Sequence, residues 1–322
     1  MQLKLVLFTP TADPCAGATR VGALVEETVY DLHSISEECE WCENPLAVAE
    51  IMASDAALAK ARKVVEDCVA GKAPEGAQWP LGDVKLEAPV LWPGKLFALA
   101  GNYAEHIMES TSKKLQGTGV TGSDLATPRV FMKPPTNTVC GPGDPIIVGK
   151  GATFVDWEAE VGVIIGKPGK YISRDDAMSH VGGITIVNDV SERELKIWDR
   201  PEDREWDKFF DWLNGKWGDS FAPMGPCAVP IGDLENVDRL SLKLWVNDEL
   251  KQDASTGQMI FKIPDILAYI SSICTLDTGD VIATGTPSGV GHAQGIRLKP
   301  GDTVRIELEG VGVLENPVVA EE

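Results

Sequence analysis

The 322-residue sequence contains no run approaching the roughly 20 apolar residues of a membrane span, so no spanning segment is expected. Its first residues, MQLKLVLFTPTADP, hold one lysine and a short apolar stretch broken by Pro10 and Pro14, with no cleavage site of the secretory type. Cysteine is sparse and odd in number, seven at irregular spacing, which argues against a secreted disulfide framework and makes a cytoplasmic location the expectation. Basic residues are also scarce: 29 Lys+Arg face 49 Asp+Glu, a formal net charge of -20. Such a chain repels phosphate backbones and anionic lipids, so neither nucleic acid nor a membrane surface is an expected partner. Internal repeats and low-complexity segments are absent.

What is present reads as an ordinary globular protein. Hydrophobic residues make up 43% and charged residues 24%, with 32 Gly and 21 Pro, a composition that excludes disorder, collagen and coiled coil. The length suits one large domain or two. Residues 1–85 read as a small α+β domain: short β-type runs at 3–8, 20–27 and 28–32, then a helix or helix pair from Asn44-Pro45 to Gly71. From 86 to 322 the texture changes to short apolar runs punctuated by Gly and Pro, at 95–101, 129–133, 145–149, 159–166, 182–189, 240–248, 279–286 and 302–310. These predict a β-rich α+β fold and not a doubly wound sheet. Two segments stand apart. The polar stretch 110–128 has the length and composition of a lid. The charged stretch 192–217 carries Trp198, Trp206, Trp212 and Trp217 and predicts an amphipathic helix pair, or else a site wall or oligomer contact.

The densest acidic motif is DWEAEVGVII at 156–165. On a strand, Glu158 and Glu160 share a face about 6.6 Å apart. At an effective dielectric of about 20, two such charges repel by about 2.5 kcal/mol, and the flanking apolar run implies burial, so a cation or a raised pKa must compensate. Asp189, which ends the run GITIVND, supplies a third carboxylate. Ser191, with Glu194 three residues on, reads as a helix N-cap. Three carboxylates at strand ends would make a hard, oxygen-only site suited to Mg²⁺ or Mn²⁺; the alternative is a solvent-facing acidic edge.

A second motif, GNYAEHIME at 101–109, pairs Asn102 with Glu105 as a capping box and sets His106 and Glu109 one turn apart on a helix. Glu109 could hold the imidazole so that it takes a proton from water, and the alternative is a surface ion pair. Lys216 precedes SFAPMGP at 220–226, which reads as a rigid turn. GTPSGVG at 285–291 follows a strand, is neither a P-loop nor a dinucleotide fingerprint, and offers amides that could grip a carboxylate. The Cys39-x-x-Cys42 pair sits among Glu37, Glu38, Glu40 and Glu43, which disfavour a reactive thiolate, and no second pair completes a zinc site.

In order, GNYAEHIME, RVFMKPP, DWEAEVGVIIGK, TIVNDVSERELK, KWGDSFAPMGP and GDVIATGTPSGVG resemble the fumarylacetoacetate hydrolase family over about residues 86–315. The resemblance implies a mixed β-sheet roll of the family's C-terminal-domain type with a small N-terminal domain, usually as a homodimer. It implies Glu158, Glu160 and Asp189 as ligands of Mg²⁺ or Mn²⁺, with Ca²⁺ as a further hard cation. It also implies His106 and Glu109 as a water-activating dyad, Lys216 near the substrate oxygen, Thr286 with Gly285 at the substrate carboxylate, and Lys133 as a further polar site residue. The implied activity is hydrolysis of a C–C bond in an acylpyruvate-like or diketo acid through a metal-stabilised enolate. The competing activities are isomerisation or decarboxylation of 2-oxo dicarboxylic acids, as in 5-carboxymethyl-2-hydroxymuconate isomerase. From another class, the rival is a non-catalytic metal-binding interaction protein. The Trp-rich insert departs from many members of the family and leaves the substrate side chain undefined.

Overall fold

The computed structural model describes residues 1–11, 19–32, 44–111 and 127–322. The Cys39–Cys42 pair and most of the expected lid at 110–128 lie outside the described residues. The N-terminal part contributes strands β1 (Leu5–Pro10), β2 (Arg20–Val25) and β3 (Thr28–Asp31), helices α1 (Ala47–Met52) and α2 (Asp55–Asp67), then β4 (Gln78–Pro80) and β5 (Val84–Glu87). The helix pair expected between Asn44 and Gly71 is therefore present, and Gly71 takes the left-handed φ of +82° where it ends.

There follow β6 (Leu96–Leu99), α3 (Ala104–Thr111), β7 (Val130–Lys133), β8 (Val139–Cys140), β9 (Ile146–Val148), β10 (Val155–Asp156), β11 (Ala159–Ile165), β12 (Val181–Asn188) and β13 (Ser191–Glu192). The remainder is α4 (Glu205–Asn214), β14 (Ala222–Pro230), β15 (Ser241–Val246), β16 (Glu249–Ser255), α5 (Ile263–Ile273), β17 (Val281–Ala283), α6 (Gly291–Gln294), β18 (Thr303–Leu308) and β19 (Gly312–Ala320). Each of the eight predicted runs contains a strand.

A 12-stranded sheet runs β4-β3-β2-β1-β14-β12-β11-β17-β6-β7, with β5 on β1 and β8 on β14, and a five-stranded sheet runs β16-β15-β18-β19-β9. The chain leaving β7 returns within a few residues to pair Val139 with Ala222, so the large sheet curls into the expected roll. Strand alternation on β11 shows how the layers are filled. Ala159, Val161, Val163 and Ile165 enter a core shared with Leu242, Leu244, Ile306 and Leu314 of the smaller sheet. Ile164, on the opposite face, joins Val187, Met224 and Val281 in a second core under α1 and α2. Each fully buried Val, Leu, Ile or Met among them stabilises the fold by about 1.5–3 kcal/mol.

The sheet does not stop at residue 85. Leu5 pairs with Ala228, and the N-terminal strands feed both cores, Val6 and Phe8 into the first and Leu5 and Leu7 into the second.

Three local expectations differ from the structure. The 220–226 stretch is not a turn: from Ala222 it belongs to β14, a central strand whose register shifts against β12 at Ile184/Ile186 accommodate its prolines. Ser191 is not an N-cap; it lies in β13, and its hydroxyl donates to the Asp189 carbonyl at 3.0 Å. The 192–217 segment forms one helix, α4, and not a pair.

Candidate metal centre and active site

The three expected carboxylates meet at one end of the β11–β12 pair. Ala159 lies opposite Asn188, so Glu158, Glu160 and Asp189 all fall beside that last rung of the ladder. The Asp189 N–H donates to the Glu158 carbonyl at 2.9 Å, and the Glu158 N–H donates to Asn188 Oδ1 at 3.0 Å, which fixes the two chain segments relative to one another. The strand begins at Ala159, one residue later than the predicted face needed, yet Glu158 keeps the parity of Glu160. All three side chains are buried, and one oxygen from each lies within 4.8 Å of the others.

Burial of three carboxylates demands partners, and two of the three are well supplied. The Lys216 ammonium bridges Glu158 Oε2 and Asp189 Oδ2, both at 2.7 Å. Lys133 donates to Asp189 Oδ1 and, at 3.0 Å, to the Val190 carbonyl. Arg193 bonds Glu158 Oε1 and, at 2.8 Å, Asp156 Oδ2. Burial works against the charge on Glu158, but Arg193 and Lys216 outweigh it and hold this carboxyl well below the usual carboxylate range. Burial likewise opposes the charge on Lys216, and Asp189 with Glu158 reverses the effect. Lys133 is pushed down to about 8, chiefly by burial, with Asp189 opposing and Lys216 reinforcing.

Glu160 is the exception. Its Oε2 accepts from the Gly285 N–H at 2.7 Å, while Oε1 is buried with no hydrogen-bond partner. Burial, then the Asp189 and Glu158 charges, push its carboxyl well above the ordinary value. An orphaned buried carboxylate oxygen beside two other carboxylate oxygens fits a hard divalent ion, and Glu158, Glu160 and Asp189 are the residues that could hold it.

The dyad lies alongside. His106 Nδ1 and Glu109 Oε1 are 2.9 Å apart on α3, and the Gly289 N–H donates to both Glu109 oxygens at 3.1 and 3.0 Å. The loop after β17 links dyad and carboxylate cluster, since its Gly289 amide serves Glu109 and its Gly285 amide serves Glu160. The predicted capping box is not formed. Asn102 instead accepts from the Phe261 N–H at 2.8 Å and donates to the Phe261 and Thr284 carbonyls at 3.0 and 2.7 Å, which ties the start of α3 to the loop after β17. In that loop the Gly285 and Gly289 amides serve the site's own Glu160 and Glu109, while the buried Thr286 hydroxyl accepts from Gln252 Nε2 at 2.8 Å. Gly285 takes φ +96°, and a Cβ there would lie 2.6 Å from Asn102 Cβ.

Sequence reasoning missed Arg193, Gln252 and the positioning role of Asp156. Arg193 had a visible signal, a cation four residues after Asp189 within the motif TIVNDVSERELK. Gln252 had none, because it reaches the loop from a strand of the other sheet.

A sequence profile described as "Fumarylacetoacetate (FAA) hydrolase C-terminal" matches residues 95–319. The chain belongs to the fumarylacetoacetate hydrolase family. Among the relatives within this family, the mitochondrial oxaloacetate tautomerase FAHD2B of Homo sapiens is 38% identical over 242 residues, covering 74% of this chain and 71% of that protein. The maleylpyruvate hydrolase of Sphingobium sp. SYK-6, solved with manganese(II) and pyruvate, superposes with a TM-score of 0.73 at 27% identity, covering 99% of this chain and 100% of that one. A 5-carboxymethyl-2-hydroxymuconate delta-isomerase from Mycobacterium smegmatis gives 0.68 at 29% identity, covering 99% and 100%. The family thus spans hydrolases, isomerases and tautomerases, and this chain is an enzyme of that metal-dependent group. Among the described residues no helix is long and apolar enough to cross a membrane.

Proposed function

We propose that the chain is a divalent-metal-dependent hydrolase that cleaves a C–C bond in acylpyruvate-like 2,4-dioxo acids. The observation that carries this function is the His106–Glu109 pair at 2.9 Å, with its carboxylate anchored by the Gly289 amide of the loop whose Gly285 amide serves Glu160. Glu158, Glu160 and Asp189 would hold Mg²⁺ or Mn²⁺, which, when bound, would polarise the 2-oxo group and stabilise enolate charge. His106 removes a proton from water, and Glu109 orients the ring and stabilises the imidazolium. The water oxygen attacks the 4-carbonyl, the bond between C3 and C4 breaks, and its electron pair passes to the pyruvate fragment as an enolate. The His106 proton then returns to C3, which gives pyruvate and a carboxylic acid. Lys216 supplies a positive charge beside the oxygen that gains electron density. The Thr286 hydroxyl, whose acceptor side is occupied by Gln252, is left to donate to the substrate carboxylate.

A second function has specific support: the chain is 38% identical over 242 residues to an oxaloacetate tautomerase. Product analysis separates them. Hydrolysis of acetylpyruvate yields pyruvate and acetate in equal amounts, whereas tautomerisation or isomerisation releases no fragment. Metal-stripped protein should be inactive and recover on addition of Mg²⁺ or Mn²⁺. Absence of pyruvate release from every 2,4-dioxo acid, with rapid enol–keto conversion of oxaloacetate, would give the second function priority. We further propose a homodimer, which light scattering would register as twice the 34.6 kDa chain mass.

A further inference from the structure

A cavity of about 510 Å³ opens beside the dyad, bounded by α3, β7 and α4. This volume falls within the range of about 300–1,000 Å³ typical of small-molecule sites. Its walls are His106 and Ile107 from α3, Val130 and Phe131 from β7, and Phe209 and Trp212 from α4. Phe131 and Trp212 meet edge to face at 5.2 Å, and Phe209 lies 5.9 Å from Trp212. The cavity is not remote from the carboxylates. The Lys216 ammonium, which bridges Glu158 and Asp189, stands 5.1 Å from the centre of the Phe131 ring and 6.0 Å from that of Trp212.

A molecule anchored by its 2-oxo acid end at the carboxylate cluster and reaching His106 therefore carries its far end toward these rings. A carboxylate at that end would lose its hydration against aromatic and aliphatic walls, which is costly without a partner. Among the described residues that line the cavity, the only basic one apart from His106 is Arg129, and it is exposed. Phe209 remains about half exposed although it packs edge to face against its helix neighbours Trp206 and Phe210, so apolar ring surface is left open at the cavity.

We infer that the substituent beyond the scissile bond is an apolar, ring-sized group seated on Phe131, Phe209 and Trp212, so that the substrate class is aroylpyruvates or comparably bulky acylpyruvates. The apolar seat rests on the proposed anchoring of a 2-oxo acid at Glu158, Glu160 and Asp189, and the aroylpyruvate class rests in addition on the proposed hydrolysis.

The test is calorimetric binding to the full-length, Mn²⁺-loaded protein of three probes that cannot undergo the C–C hydrolysis: pyruvate, 2-oxo-4-phenylbutanoate and 2-oxoadipate. The phenyl compound should bind about tenfold or more tighter than pyruvate and tighter than 2-oxoadipate. Phe209→Ala should collapse the phenyl-to-pyruvate ratio, and Phe209→Leu, which retains apolar bulk, should keep most of it. Thermal unfolding of each variant checks that the fold is intact. A ratio near one in the wild type, a ratio unchanged by Phe209→Ala, or tightest binding of 2-oxoadipate would overturn the inference. If acetylpyruvate is hydrolysed while the ratio is near one, the proposed function stands and this inference fails. If no 2,4-dioxo acid is cleaved but the ratio holds, the apolar seat for a 2-oxo acid's far end stands, and the hydrolase assignment fails with the aroylpyruvate class.

Discussion

Glu160 is the carboxylate best placed to take a cation, because the four oxygens of Glu158 and Asp189 each have a cationic partner, its own Oε2 has the Gly285 N–H, and its buried Oε1 has no hydrogen-bond partner. Replacing it by glutamine keeps an oxygen for the Gly285 amide and removes one of three like charges. Glu160→Gln should therefore unfold in EDTA at a temperature no lower than the wild type. The wild type should gain about 2.7 kcal/mol, or a few degrees in Tm, at Mn²⁺ a hundredfold above its Kd, and the variant should lose most of that gain. Differential scanning fluorimetry with and without Mn²⁺ checks both signs. His106→Ala should lower kcat for acylpyruvate hydrolysis by about 10²–10⁴-fold with little change in the metal-dependent Tm gain. Full hydrolysis by that variant would remove the dyad from the mechanism.

At the scale of elements, the loop after β17 holds the site together, since its amides fix Glu160 and Glu109 while Thr284 is bound by Asn102 from the start of α3. Gly285→Ala adds a Cβ at positive φ against Asn102, so it should cost at least about 1–3 kcal/mol and reduce activity more than stability alone explains. Chemical denaturation alongside steady-state kinetics would show both effects. The same scale separates what the sequence could reveal from what it could not. β11 was legible because its apolar alternation and its paired glutamates obey one period, and β12 because its apolar run ends in Asp189. β14 was not, because Pro223, Pro226 and Pro230 carry the local signature of a turn, and only pairing with β12 and β1 makes them a strand. The capping box failed for a related reason: Asn102 could cap its own helix, but partners distant in sequence, Phe261 and Thr284, occupy both ends of its amide. The site's acids were readable from local spacing, whereas Arg193's bridge and Gln252's reach depend on how the chain closes.

For the whole molecule, the described N-terminal strands extend the large sheet and enter both cores, so we propose that residues 1–85 fold together with the rest of the chain. Leu5, Val6, Leu7 and Phe8 are almost wholly buried. A chain of residues 86–322 should therefore lack a cooperative thermal transition, and circular dichroism on that fragment would detect one if it folds alone. The net charge of -20 acts at this scale too. It repels the anionic acids proposed as substrates, so their attraction would be local, from an ion held at the carboxylate cluster with Lys216, and activity should depend on metal throughout. Pyruvate release from acetylpyruvate by EDTA-treated protein, followed before and after Mn²⁺ addition, tests this most directly. Equimolar pyruvate and acetate appearing only after Mn²⁺ is the result expected of a metal-dependent C–C hydrolase. Release at the same rate without metal, or no release at any metal concentration, would contradict it.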